Sequence, residues 1–140
     1  MAIVMERAAL QAFLTQHFAQ VAEDFSVLKV EDDLLELRLN VVDRHMRPGG
    51  TVSGPAIFGL ADVAMYLTIL SRIGPVALAV TTNCSIDFMR KPEAGRALVA
   101  QARVLKLGRM LAVGDVLVRS EGSADVVARA GLTYAIPPKA

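Results

Sequence analysis

Ser53-Gly54-Pro55-Ala56-Ile57-Phe58-Gly59-Leu60-Ala61-Asp62-Val63-Ala64-Met65-Tyr66-Leu67-Thr68-Ile69-Leu70-Ser71-Arg72 is the stretch on which the reading of this chain turns. It opens as a helix start, with a small capping residue and proline at about the first helical position. Gly74-Pro75 ends it. Between Ala56 and Leu70 the only formal charge is Asp62. A helix apolar nearly all round must be covered on most sides. The longest apolar run, roughly Pro55 to Leu70, is short for a bilayer span, and Asp62 at its middle is costly in lipid. The pattern therefore predicts the core helix of a soluble protein.

The cover is written on both sides of it. Downstream, residues 78–90, 96–107, 110–120 and 125–136 read as strands joined by short glycine-containing connections, the mark of an antiparallel meander. Upstream, residues 25–30 and 34–41 alternate at period two, with Leu35, Leu37, Leu39 and Val41 interleaving with Glu36, Arg38 and Asn40. Residues 4–22 carry Ala8, Leu10, Phe13, Leu14, Phe18 and Val21 at helical spacing. The expected class is α+β, a curved antiparallel sheet wrapped around one long central helix, plus an N-terminal helix, in a single domain over residues 1–140.

Composition narrows the function classes. At 54% hydrophobic and 5% aromatic residues, the 140-residue chain should have an aliphatic core and an apolar surplus suited to self-association. A net charge of +1 gives no bulk electrostatic case for nucleic acid. The single cysteine, Cys84, excludes an internal disulfide and a multi-cysteine zinc site, and fits a reducing compartment. Residues 1–7 lack a basic start followed by a long apolar core, so no signal peptide is expected. The expectation is a cytoplasmic protein without membrane, metal or cofactor.

Asp62 has three readings: a solvent-facing charge, a structural partner for an arginine, or a functional carboxylate. Tyr66 lies on its face of the helix, at i+4. The helix start is either a plain cap or a set of free amides able to hold an oxygen that gains negative charge. Gly54 and Asp62 are eight residues apart, about 12 Å along a helix. One carbonyl cannot be polarised by the Gly54 amide and also touched by Asp62 of the same chain. Two antiparallel copies of the helix would meet both needs, giving two equivalent composite sites in a two-fold dimer.

At these residues the sequence resembles the hotdog-fold acyl-CoA thioesterases of the PaaI (phenylacetyl-CoA thioesterase-like) type. Their pattern, roughly Asn-x-x-Gly-x-x-His-Gly-Gly followed by Leu-x-Asp, reads here as Arg47-Pro48-Gly49-Gly50-Thr51-Val52-Ser53-Gly54-Pro55 and then Leu60-Ala61-Asp62. The run from Thr81 to Arg90-Lys91-Pro92, the segment from Gly95 to Gly108-Arg109, and Ala128 to Tyr134 continue the likeness, which covers most of the chain from about Leu34. The resemblance implies a hotdog fold, a homodimer or dimer of dimers, and an acyl-CoA substrate. It implies Asp62 as catalytic nucleophile or general base, and the Gly54 amide of the other subunit as the group that polarises the thioester. Arg47, Ser53, Tyr66 and Asn83 become candidates to contact substrate. Arg90, Lys91, Lys106, Gly108 and Arg109 become candidates for coenzyme A.

The chain departs from the pattern. Arg47 stands for the family's Asn, Ser53 for its His, Pro55 for its second Gly, and Tyr66 for a small hydroxyl residue one turn after the carboxylate. Arg47 could pair with Asp62 or bind an anionic acyl tail. His17 reads as a surface or packing residue, His45 as a residue near the loop, Cys84 as a small core residue and Asp87 as a strand-face charge. The leading expectation is hydrolysis of an aromatic or medium-length acyl-CoA in a pocket lined by Met46, Phe58, Met65 and Tyr66. A non-catalytic acyl-CoA-binding or regulatory hotdog protein is the alternative. A hydratase ranks last, because the matching region offers no histidine beyond His45.

Overall fold

The computed structural model describes residues 2–138. The order is α1 (Arg7–His17), β1 (Phe25–Val30), β2 (Leu35–Leu39), β3 (Met46–Arg47), β4 (Thr51–Val52), α2 (Gly54–Ile73), β5 (Val80–Phe88), β6 (Leu98–Leu107), β7 (Leu111–Ser120) and β8 (Val126–Ala135). Six strands form one antiparallel sheet in the order β1-β2-β6-β7-β8-β5. The alternation read in the sequence sets its faces: Leu35, Leu37 and Leu39 turn inward and are buried, as are Ala128, Ala130, Leu132 and Tyr134 on β8.

The inner face receives α2. Leu60, Ala61, Ala64, Met65, Leu67, Ile69 and Leu70 are all fully buried. Each large one among them contributes on the order of 1.5–3 kcal/mol of burial free energy. By length and composition α2 could cross a membrane, but 72% of its most apolar window is buried in the fold. It is the core helix expected, with the sheet wrapped around it in the hotdog manner. A Cβ on Gly114 would press on the Met65 thioether of α2 and on the Arg103 carbonyl oxygen of β6, so this position of β7 has room only for glycine.

The N-terminal helix is shorter than residues 4–22. Val4 and Met5 instead donate backbone N–H groups to the Ser71 carbonyl, at 2.7 and 3.3 Å. The chain leaves the helix at Phe18 and turns through a single 3-10 turn, Ala22–Asp24, into β1. The helical spacing of Phe18 and Val21 reflects packing against the core from that turn rather than a longer helix. The Arg47-Pro48-Gly49-Gly50 loop closes the small β3–β4 hairpin, with Gly49 and Gly50 at φ 99° and 79°, where side chains are disfavoured.

Candidate active site

Asp62 sits half-buried two turns into α2, facing the inner ends of β5 and β8. One of its oxygens, Oδ1, accepts two hydrogen bonds: from the Thr81 hydroxyl at 2.6 Å and from the Tyr134 hydroxyl at 2.7 Å. The phenol also lies 2.8 Å from the Asp62 main-chain oxygen. Among the described residues the other carboxylate oxygen, Oδ2, has no hydrogen-bond partner. The carboxylate is therefore neither a freely solvated charge nor half of an arginine pair.

Two strands aim the hydroxyls. Tyr134 follows from the period-two run of inward residues on β8. Thr81 reaches Asp62 because the β5–β8 register shifts between Thr81 and Asn83, a bulge that lets Thr81 face inward alongside Cys84. Asn83 pairs with Thr133 and is exposed on the outer face of the sheet, so this chain does not bring it to Asp62. Burial, together with the Asp62 charge, raises the Tyr134 hydroxyl well above the ordinary tyrosine range, so it stays a donor. Burial, and secondarily Asp62, likewise pushes the Cys84 thiol up, away from a nucleophilic thiolate.

Tyr66 does not contact the carboxylate. Its hydroxyl donates to the Ala77 carbonyl at 2.9 Å, fastening the segment that leads into β5. Its ring stacks on Tyr134, centroids 6.2 Å apart and planes 28° apart, and meets Phe13 and Phe18 on its other sides. Within the chain Tyr66 thus braces Tyr134 and makes no bond to Asp62. Of the expected apolar lining, Met65 is buried against the sheet, Met46 is half-buried and Phe58 is 38% exposed.

At the helix start, the Ser53 hydroxyl accepts from the Ala56 N–H at 3.3 Å and its carbonyl accepts from the Ile57 N–H at 3.1 Å. Ser53 is thus a cap, the physical job its residue type does best. Pro55 has no N–H. That leaves Gly54 as the one amide of this first turn without a partner among the described residues. A Cβ on Gly54 would stand 3.5 Å from the Phe88 ring, an ordinary contact. Nothing among the described residues requires glycine there.

Arg47 is exposed on β3 and makes no ion pair among the described residues, so the expected pairing with Asp62 is not formed within the chain. His45 is buried away from the carboxylate. Its Nδ1 accepts the Val42 N–H at 3.0 Å and its Nε2 lies 3.5 Å from Asp24, which makes it a brace of its own turn. His17 packs on Phe13 at 4.6 Å between centroids.

The coenzyme A candidates fall into two groups. Arg90 and Lys91 follow β5, where the Arg90 N–H donates to the Val127 carbonyl and its guanidinium lies 3.6 Å from Asp125. Lys106, Gly108 and Arg109 belong to the β6–β7 hairpin, at the end of the sheet where Leu111 pairs with Ala135 and Ala135 with Val80. β5 and β7 run the same way on either side of β8, so the two groups occupy opposite ends of the sheet. One chain alone does not assemble them.

Residues 49–127 match the thioesterase superfamily. The chain belongs to that superfamily. A crystal structure of a protein from Silicibacter sp. TM1040, provisionally named a thioesterase, is similar to this superfamily member with 54% identity and a TM-score of 0.92, covering 99% of this chain and 96% of that one. A variant of the phenylacetic acid degradation protein PaaI from Thermus thermophilus is 28% identical with a TM-score of 0.70, over 90% of this chain and 99% of that one. The Streptococcus mutans protein smu.793, solved bound to acetyl-CoA, is 28% identical with a TM-score of 0.70, over 82% and 90%. These likenesses agree with the PaaI-type resemblance in the sequence.

Proposed function

We propose that this superfamily member is an acyl-CoA thioesterase whose site is shared between two subunits. The observation that carries the reading is a pair of complementary half-sites on one helix: Asp62 with Oδ2 unengaged, and the Gly54 N–H without a partner. They lie about 12 Å apart along the helix. An antiparallel second copy of α2 would set the Gly54 amide of one subunit beside Asp62 of the other.

β5 supports this arrangement. It is an edge strand of the sheet, and the apolar residues on and beside it are open: Val80 57%, Phe88 54%, Met89 59% and Phe58 38% exposed. An unpaired edge carrying apolar side chains is a template for pairing with another chain. Two-fold pairing there would carry Arg90 and Lys91 of one subunit to the end of the sheet that holds Lys106 and Arg109 of the other. Acetyl-CoA bound to the Streptococcus mutans relative supports a coenzyme A ligand.

In the reaction, the Gly54 N–H would stabilise the oxyanion that forms when the thioester carbon is attacked. Asp62 would either attack that carbon or take a proton from the attacking water, and the coenzyme A thiolate would leave. Aromatic or medium-length acyl groups suit the apolar surroundings, and the single cysteine suits a cytoplasmic setting.

A second reading, acyl-CoA binding without turnover, draws on Ser53, which stands for the family's His and whose hydroxyl serves as the helix cap. Release of free thiol from a panel of acyl-CoAs, beside a thermal-shift screen with the same compounds, separates the two. Thiol release by wild type and not by Asp62→Asn supports hydrolysis. Thermal stabilisation without thiol release replaces it with the binding protein.

A further inference from the structure

Asp62 is held from outside its own helix, and the residue that holds it most deeply has no role in the reading above. The geometry points to Tyr134 as a positioning residue: its hydroxyl, together with that of Thr81, occupies Oδ1 of Asp62 and leaves Oδ2 as the oxygen that meets substrate or water. The inference rests on the thioesterase reading for its chemical meaning, and adds to it the choice of reacting atom.

Four observations lead there. Tyr134 is 2% exposed, so its hydroxyl has no bulk water to turn to. Its hydrogen bond to Oδ1 is 2.7 Å long, within the range of charge-assisted bonds. The stack on Tyr66 fixes the ring plane, and Tyr66 is itself tied to the Ala77 carbonyl. Asp62 Oδ2 is engaged by neither hydroxyl. A carboxylate pinned through one oxygen loses the freedom to rotate, so its other oxygen presents a fixed lone pair.

Placement of the hydroxyl also explains the tyrosine one turn after the carboxylate. Tyr66 turns its own hydroxyl away and supplies a surface against which Tyr134 stacks. The hydroxyl that serves the carboxylate thus arrives from the sheet rather than from the helix. Tyr134 stays protonated and neutral, so it acts as a donor and neither as base nor as nucleophile. Donation to the charged form favours that form, which gives the role a signature that packing alone lacks.

The test combines Tyr134→Phe with carbon-13 NMR of the Asp62 carboxyl, assigned by its loss in Asp62→Asn. The carboxyl titration midpoint of Tyr134→Phe is expected to rise, and the acidic limb of kcat/KM to move up in pH with it. At the plateau kcat/KM should fall about tenfold to a hundredfold, the worth of one hydrogen bond to a charged group. A titration and a pH profile that superimpose on wild type overturn the inference. Should Tyr134→Phe fail to fold, 3-fluorotyrosine placed in the Tyr66→Phe protein, where Tyr134 is the sole tyrosine of the two, strengthens the donor. It should lower the midpoint, and an unchanged midpoint again overturns the inference. Full thiol release by Asp62→Asn would remove the thioesterase reading instead, while the NMR titration would still decide whether Tyr134 governs the carboxyl.

Discussion

The Phe88 ring lies 3.5 Å from the place where a Cβ on Gly54 would stand, close enough to touch and far enough to admit a methyl group. Gly54 has an unstrained backbone and opens a helix. Gly54→Ala should therefore fold as well as wild type, with a melting temperature unchanged or slightly higher, since alanine is the better helix former. If the amide meets a substrate oxygen, the added methyl should lower kcat/KM at least tenfold. Melting curves beside thiol-release kinetics check both halves. Undiminished activity would dissociate Gly54 from the reaction.

Asp62→Asn keeps an acceptor for Thr81 and Tyr134, so its stability should stay within about 1 kcal/mol of wild type. Its turnover should fall by orders of magnitude. Single turnover in oxygen-18 water then separates the two roles of the carboxylate in wild type. Label entering the Asp62 side chain marks direct attack, whereas label confined to the acid product fits either activation of water or an anhydride opened at its acyl carbon, and trapping with hydroxylamine tells those two apart.

Gly114→Ala should act on the fold instead. The new methyl would meet both Met65 and the Arg103 carbonyl, and backbone cannot yield cheaply. Overpacking of this kind costs roughly 1–3 kcal/mol, readable in urea unfolding. Met65→Ala removes only the side-chain part of the clash and carries its own cavity cost, so the double variant should be destabilised by less than the sum of the two single variants.

Tyr134 predicts an alkaline effect. Its folded ionisation lies above the ordinary value of 10.0. The unfolded chain therefore releases this proton first as pH rises, and the stability Tyr134 contributes is full below pH 10 and declines above it. Stability of the wild type should fall more steeply above that pH than stability of Tyr134→Phe, as measured by denaturant midpoints across the alkaline range.

The architecture was legible because it rests on periodicity. Leu35, Leu37 and Leu39, and the apolar run around Asp62, announce a half-buried strand and a buried helix with no knowledge of the rest. The carboxylate and its eight-residue distance from Gly54 were equally plain. Its partners were less so. Tyr134 could have been found from the inward alternation of β8, but which turn of α2 it faces depends on register between elements far apart in sequence. Thr81 was hidden by a bulge, which breaks the parity that alternation assumes and turns Thr81 to the face of Cys84, while Asn83 had come from the resemblance and not from alternation. Tyr66 shares the Asp62 face by spacing, yet a long side chain reaches past its neighbours to Ala77. The five coenzyme A candidates came from the resemblance, and only strand direction separates them into two ends.

Gly114 has a further consequence. The Met65 side chain rests in the notch that a missing Cβ leaves in β7, one turn beyond Asp62. A helix seated in a notch cannot slide along the sheet without climbing out of it. The carboxylate is thereby indexed to Thr81 and Tyr134 like a key in its ward, while Phe58 and Phe88 on the open side carry no such restraint. Substitutions on that open side would leave this alignment within the chain untouched and act instead on the pairing with a second copy, and through it on the shared site.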